Sequence, residues 1–286
     1  ITDGKQTIIA EVDYTGAPGT VYEAAIYMVQ SQPYQVEKVD WTGRKAFVRK
    51  TRADYYTDAI DYTRLKILDR FDDRPLGQGG QRAAAAHGEV HLVRRYPGYK
   101  KIRYYSHDNI GYVNINLPDQ EMHTTSVWWQ VHPAVLEAAL PAREHAIEGF
   151  LGAAYALHHV AALRAMAEVP DLGRAVGDGQ GRWFAVLGND GRGQLRGPNN
   201  EALDQVPGDR FEPTLFLYDN YPGGVGLSAP LFDDAPALIG DALGLVRGCA
   251  CTAGCPACIG PVLPGDEAGP VTPKQAALVV LGLFEE

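Results

Sequence analysis

The sequence has little cysteine, no long apolar run and none of the common nucleotide-binding or hydrolase signatures. Only four cysteines occur in 286 residues, and all lie between positions 249 and 258. So few, so close together, could staple only a local loop, which excludes a disulfide-dense secreted scaffold. No apolar stretch reaches the ~18–20 residues that span a bilayer, and the first twenty residues hold no signal-peptide core. Walker A, H-E-x-x-H and nucleophile-elbow patterns are all missing, and no repeat recurs at solenoid periods. The chain alone therefore cannot hydrolyse ATP in the P-loop manner. The disorder signature is missing too: 45% of residues are hydrophobic and 21% charged, as in one large or two ordinary globular domains. These absences predict a soluble, intracellular, cytoplasmic protein with no membrane partner.

What is present starts abruptly. Ile1-Thr2-Asp3 lacks an initiator methionine and leads directly into a strand-like run, Lys5 to Ala10, which predicts a piece of a longer polypeptide. The net charge of −9 is uneven, with +1 on residues 1–135 and −10 on residues 136–286. An anionic partner suits the first half better than the second.

Residues 20–50 read as a β-meander: Val21 to Val29, Tyr34 to Val39 and Arg44 to Arg49, the last two joined by the glycine-bearing turn Asp40-Trp41-Thr42-Gly43. Tyr55 to Leu68 fits a strand or an extended linker, and the polar Asp69 to Gln81 reads as a loop. Strands are expected over Glu89 to Tyr96, Lys101 to Tyr105, Tyr112 to Leu117 and Thr124 to Val131, with turns at Pro97-Gly98 and Asp108-Asn109. Composition then becomes alanine- and leucine-rich. Pro133 to Glu168 carries apolar residues in helical register, predicting one long helix or two, with Pro141 as a first-turn residue or a break. Asp178 to Pro213 is rich in Gly and Asn, and only Trp183 to Leu187 resembles a strand. Pro213 to Asp219 reads as a buried strand before the loop Pro222-Gly223-Gly224-Val225-Gly226, with helices after it, including Pro236 to Val246 and Pro273 to Phe284. The expected class is α+β: a β-rich, barrel-like or two-layer accessory domain over residues 1–131, then a mixed helical α/β domain over residues 132–286 with a four-cysteine site.

That site, Cys249-x-Cys251-x3-Cys255-x2-Cys258, is the strongest chemical signal. Tetrahedral Zn2+ with Zn–S near ~2.3 Å needs four sulfurs within about 4 Å of one another. Thr252-Ala253-Gly254 is small enough to fold the chain back, and Pro256 stiffens the Cys255-to-Cys258 knuckle. Four thiolates make a closed, structural site with no open position for catalysis. An iron–sulfur cluster and a redox Cys-x-x-Cys pair are the alternatives.

A second signal is the run Arg94 to Tyr105, which gathers five cations and four tyrosines, with no acidic residue between Glu89 and Asp108. Cations neutralise phosphates and tyrosine faces stack on bases, so Arg94, Arg95, Tyr99, Lys100, Lys101 and Arg103 are candidate contacts to single-stranded DNA. The same pattern fits two strands whose cations face water while the tyrosines pack inward. The glycine loop lacks a P-loop lysine and G-x-G-x-x-G spacing, so it reads as a tight turn ordered by Asp219. His123, His132, His158 and His159 form no ligand pair and read as packing or surface residues.

Taken together, five stretches resemble the C-terminal region of superfamily 2 DEAD/DEAH-box DNA helicases of the MrfA (YprA) and Hrq types, which end in a cysteine-rich zinc-binding domain. They are EAAIYMVQSQPYQVEKVDWTGRKAFVRK, DYYTDA, YKKIRYYSHDNIGYVNINLPDQEMHTTSVWW, LYDNYPGGVGLS and CACTAGCPACIGP. The resemblance covers most of residues 20–130 and 145–262, and segments 69–87 and 188–212 match nothing in it. It implies that Cys249, Cys251, Cys255 and Cys258 bind structural zinc. It also implies a parent that is an ATP-dependent 3′-to-5′ DNA helicase or translocase linked to DNA repair, with ATP and Mg2+ held only by motor domains in cis. The fragment itself would be non-catalytic, guiding single-stranded DNA. The alternative is a structural module that braces the motor or recruits a repair partner without touching DNA.

Overall fold

The structure is a computed structural model that describes residues 7–77, 82–188, 191–205, 211–262 and 269–285. Packing divides the chain into two compact units, Ile1–Tyr62 with Arg94–Gln120 and Thr63–Val93 with Glu121–Glu286. The division falls inside two long strands, β4 (Tyr55–Leu76) and β5 (Ala83–Arg103).

In the first unit a short helix, α1 (Ala17–Thr20), precedes a three-stranded meander of β1 (Ile26–Val29), β2 (Gln32–Asp40) and β3 (Lys45–Lys50). The expected turn between β2 and β3 forms, with the Asp40 carboxylate accepting from Gly43 N–H at 2.8 Å. Val21 and Tyr22 do not extend β1 as expected. They are buried at the turn before it, and Ala24 with φ 67° redirects the chain there. Alternation along β2 and β3 sends Tyr34, Val36, Ala46 and Val48 into one core with Tyr22 and Tyr99. Across from this, β6 (Asn109–Asn114) pairs antiparallel with residues 98–102 of β5.

Two sequence expectations are corrected along β4 and β5. Pro97-Gly98 is not a turn, because Gly98 sits in the ladder opposite Asn114, where an added Cβ would lie 2.6 Å from the Tyr112 hydroxyl. Glycine is there to make room for a tyrosine. The polar stretch after Leu68 is also strand as far as Leu76, and the rest of that expected loop, residues 78–81, lies outside the described residues. Its charges misled because β4 is an edge strand, where exposed charged side chains are the usual guard against edge-to-edge pairing.

In the second unit the strands run β11 (Ala202–Leu203), β10 (Gly193–Arg196), β9 (Phe184–Leu187), β8 (Leu172–Gly177), β12 (Thr214–Asp219), β7 (Gln120–Val131), β5, β4. At its centre β12 is buried on both faces, as its unbroken Leu-Phe-Leu-Tyr run requires. Leu215 and Leu217 face the helices with Trp129 and Val176, whereas Phe216 and Tyr218 face the other way with Trp128 and Ala175. The sheet curls far enough that Ile67 N–H donates to Gly179 C=O at 2.9 Å. The ladder nevertheless stays open between edge strands β4 and β11, so the architecture is α+β without a closed barrel. β8, β10 and β11 were not read from the sequence, since strands this short, two of them carrying Gly and Arg, give little period-2 signal.

The helices are α2 (Pro133–Ala139), α3 (Arg143–Arg164), α4 (Ser228–Asp233), α5 (Ala235–Gly248) and α6 (Pro273–Phe284). Leu140-Pro141 separates α2 from α3, and Thr272 and Gln275 form the capping box that starts α6. Helix α3 is long enough to cross a bilayer, but 72% of its most apolar window is buried inside the protein. It packs against α6 on one side and against β8, β10 and β12 on another. A Cβ on Gly149 would stand 2.7 Å from Ala276 C=O, so glycine sets that helix–helix distance. Gly149→Val should therefore destabilise the protein by about 2–3 kcal/mol, the cost of overpacking a tight core contact. Thermal unfolding checks this, and an unchanged Tm would show that the contact is looser than a 2.7 Å approach implies.

Candidate metal centre and nucleic-acid surface

Helix α5 ends at Gly248, and the chain turns out of it at Cys249 with extended backbone. Gly254, at φ 126°, then reverses the chain where a Cβ would meet Ile259 at 2.4 Å. The knuckle closes with Cys258 N–H donating to Cys255 C=O at 3.0 Å. These turns bring the four sulfurs within 4.8 Å of one another. Cys249–Cys255 and Cys251–Cys258 are 3.5 Å apart and Cys255–Cys258 3.8 Å. A tetrahedron with ~2.3 Å Zn–S bonds has sulfurs roughly 3.8 Å apart, so the cluster fits one zinc-sized ion. A multi-iron cluster would spread the sulfurs around several metal atoms.

The thiols respond unequally to their surroundings. Cys249 is held down at about 7, chiefly by a hydrogen bond from the Cys251 backbone, while burial pushes Cys258 up to about 12 and also raises Cys251. Four neighbouring thiols cannot all ionise without a cation between them, and structural zinc supplies that charge.

Two anchors hold the knuckle to the helices. Tyr155 on α3 donates from its hydroxyl to Pro256 C=O at 2.7 Å. Lys274, in the first turn of α6, donates from Nζ to Cys249 C=O at 2.6 Å and to Cys251 C=O at 2.8 Å. Neither was singled out from the sequence, because nothing local marks a tyrosine or a lysine as the partner of a distant loop.

One turn along α3, His158 is buried. Its Nε2 lies 2.8 Å from Leu172 C=O and its Nδ1 3.0 Å from an Arg174 nitrogen, which assigns the neutral Nε2–H tautomer. Arg174 in turn sits over the Tyr155 ring at 4.9 Å. Burial is the main cause holding the His158 imidazole down at about 4. The expectation of a packing histidine is met in that residue.

The glycine loop resolves as a turn. Asp219 is fully buried, and its Oδ2 accepts from the N–H groups of Val225, Gly226 and Leu227 at 2.8, 2.8 and 3.0 Å. Its Oδ1 accepts from Ser228 N–H at 3.0 Å. The chain's own carboxylate thus fills the N–H nest that a phosphate would need.

The basic run divides into committed and available cations. Arg94 pairs with Asp61 at 3.7 Å, and Arg95 makes a two-pronged contact to Asp119 at 2.7 Å. Tyr99 is 2% exposed, its ring 5.0 Å from that of Tyr22, so the stacking face expected of it is spent on the core. Lys100 faces Asp58, whose carboxyl is raised by burial and drawn back down by that lysine. Lys101 Nζ lies 5.3 Å above the Tyr55 ring, and Arg103 is exposed. Around the turn between β5 and β6, Tyr104 packs against Tyr56 at 5.7 Å, Tyr56 meets His107 at 6.3 Å, and Tyr105 is 100% exposed.

Two outcomes follow for the second unit. Asp219→Ala leaves four N–H donors, that of Ser228 buried, without their acceptor and should cost about 1–3 kcal/mol in denaturant unfolding; a loss under ~0.5 kcal/mol would contradict the nest. Because the folded His158 pKa lies below its unfolded value of ~6.5, its contribution is complete above pH ~6.5 and is lost as pH falls toward 4, about 3 kcal/mol in all. Between pH 6.5 and 4, His158→Gln should show a stability slope flatter than wild type by up to one proton; equal slopes would refute the neutral histidine.

Comparison with known proteins agrees with this geometry. Residues 153–259, which include all four cysteines, match the model of the MrfA Zn-binding domain. The ATP-dependent helicase YprA of Bacillus subtilis is 30% identical over 264 residues, which is 91% of this chain and 30% of YprA. The ATP-dependent helicase HRQ1 of Saccharomyces cerevisiae is 23% identical over 262 residues, which is 91% of this chain and 22% of HRQ1. The crystal structure of the helicase MrfA bound to DNA superposes with a TM-score of 0.58 at 28% identity, covering 96% of this chain and 31% of that one. The chain thus spans less than a third of the length of each of these relatives. With residues 153–259 matching the MrfA Zn-binding domain and similarity along most of the remainder, the chain is similar to the C-terminal region of the MrfA-type helicases.

Proposed function

We propose that the chain is a non-catalytic accessory region of an ATP-dependent 3′-to-5′ DNA helicase or translocase acting in DNA repair in the cytoplasm. ATP and Mg2+ belong to motor domains in cis. Residues 132–286 form its zinc-binding part, in which Cys249, Cys251, Cys255 and Cys258 ligate one structural zinc. Residues 1–131 form its β-rich part, and its surface guides single-stranded DNA.

The observation that carries the DNA reading is the aromatic and cationic group at the β5–β6 turn. There Lys101 over Tyr55, exposed Arg103, the Tyr56–Tyr104–His107 cluster and exposed Tyr105 combine phosphate-neutralising charge with stacking faces. Arg94, Arg95 and Tyr99 support this surface from beneath through their ion pairs and ring packing. A brace or partner-docking module is the second reading, favoured by exposed Leu163 and Met166 at the end of α3 and by the acidic second half.

Replacing Lys100, Lys101 and Arg103 together with alanine should weaken single-stranded DNA binding at least tenfold at low salt. It should also flatten the slope of log K against log salt by roughly 2. Tyr105→Ala should weaken binding about equally at all salts, since a lost base stack costs ~1–3 kcal/mol. Titration of folded, zinc-loaded protein at two salt concentrations measures both effects. Unchanged affinity in both variants would leave the docking module as the function.

A further inference from the structure

We propose that Lys274 is the charge-balancing residue of the zinc site, a positioning residue whose ammonium offsets the negative charge that four thiolates leave on one divalent ion. The inference rests on the ligation proposed above and adds a residue outside the cysteine motif, beyond the matched span of 153–259.

Three observations require an anion next to this lysine. Lys274 is 8% exposed, and a cation that far from water needs a counter-charge. Its Nζ partners are two backbone carbonyls, Cys249 at 2.6 Å and Cys251 at 2.8 Å, and among the described residues no carboxylate lies within ion-pair distance of it. It also stands in the first turn of α6, the positive end of a helix dipole, where a cation is disfavoured and a carboxylate preferred. Neutral carbonyls solvate an ammonium without cancelling its charge. A zinc ion with four thiolates carries a net charge of −2, and Lys274 is fastened to the backbone of two of those ligands. Its own backbone N–H donates to Ala253 C=O at 2.9 Å, so main chain and side chain both grip the Cys249-to-Cys255 loop. The lysine and the metal site each supply the charge the other lacks.

The test uses the 286-residue chain as wild type, Lys274→Met and Lys274→Arg, loaded with Zn2+ and titrated with a chromophoric chelator. Co2+ loading follows thiolate coordination by its charge-transfer absorption. Methionine keeps the apolar stem but not the charge, and arginine keeps the charge. Lys274→Met should lose zinc at ~10–100-fold lower chelator concentration, as outer-shell substitutions typically do, while its metal-free form is at least as stable as wild type. Lys274→Arg should stay within a few-fold of wild type. Equal zinc retention by wild type and Lys274→Met would overturn the proposal and leave the ligation intact. If Lys274→Met does not fold, an arginine variant that loses zinc by tenfold or more overturns it instead. A wild-type chain that takes up no Zn2+ and shows no Co2+–thiolate absorption would overturn the ligation itself.

Discussion

Helix α3 carries the second unit because it is buried on nearly every side. The sheet lies on one flank through β8, β10 and β12, and α5 and α6 lie on others. A helix in that position has little room for a polar face, and its middle turns are mostly small and apolar. Gly149, Gly152 and a run of alanines supply those small residues and let α6 approach until Ala276 and Ala277 touch it. The polar residues α3 does carry are placed as anchors. Tyr155 reaches the knuckle, and His158 reaches the chain entering β8. The position of the metal centre relative to the central strand of its own unit therefore follows from one crowded helix.

The first unit obeys a different electrostatic logic. Its basic run has too many cations to face one side of two strands, and the structure spends some of them internally. Arg94 and Arg95 reach carboxylates on β4 and just before β7, which fixes the strands beneath the surface. Exposed charge then concentrates toward the β5–β6 turn, where aromatic rings also gather. A planar guanidinium in a two-pronged pair gives up little by staying paired, whereas a lysine over a tyrosine ring keeps its charge available to a third party. Composition alone cannot make that division, because it depends on which acidic residues of other strands arrive opposite each cation.

Much of this architecture was legible in the sequence wherever local chemistry forces it. The Asp40-to-Gly43 turn, the Pro141 break, the buried strand before Asp219 and the span of α6 all carry a residue with a single good conformational use. The four-cysteine cluster was legible because metal geometry limits loop length. The misreadings share a cause in partners distant along the chain. Gly98 serves a tyrosine from another strand, Tyr99 is claimed by Tyr22, and β4 continues through charged residues because it lies at an edge. Lys274 escaped notice for the same reason, since its partners lie more than twenty residues away.

Among the ionisable groups that the second unit buries, Asp219, His158 and Lys274 are accommodated by three different physical routes. Asp219 is surrounded by four N–H donors, so a loop that could have bound an external anion is closed by an internal carboxylate. His158 gives up its charge, held neutral by burial between a carbonyl and a guanidinium. Lys274 sits among carbonyls, an arrangement that balances only if negative charge is supplied from the thiolates beside it. The first two are complete within the polypeptide. The third is not, which makes the metal part of the charge balance of the helical core and joins zinc occupancy to the packing of α6 as well as to the knuckle.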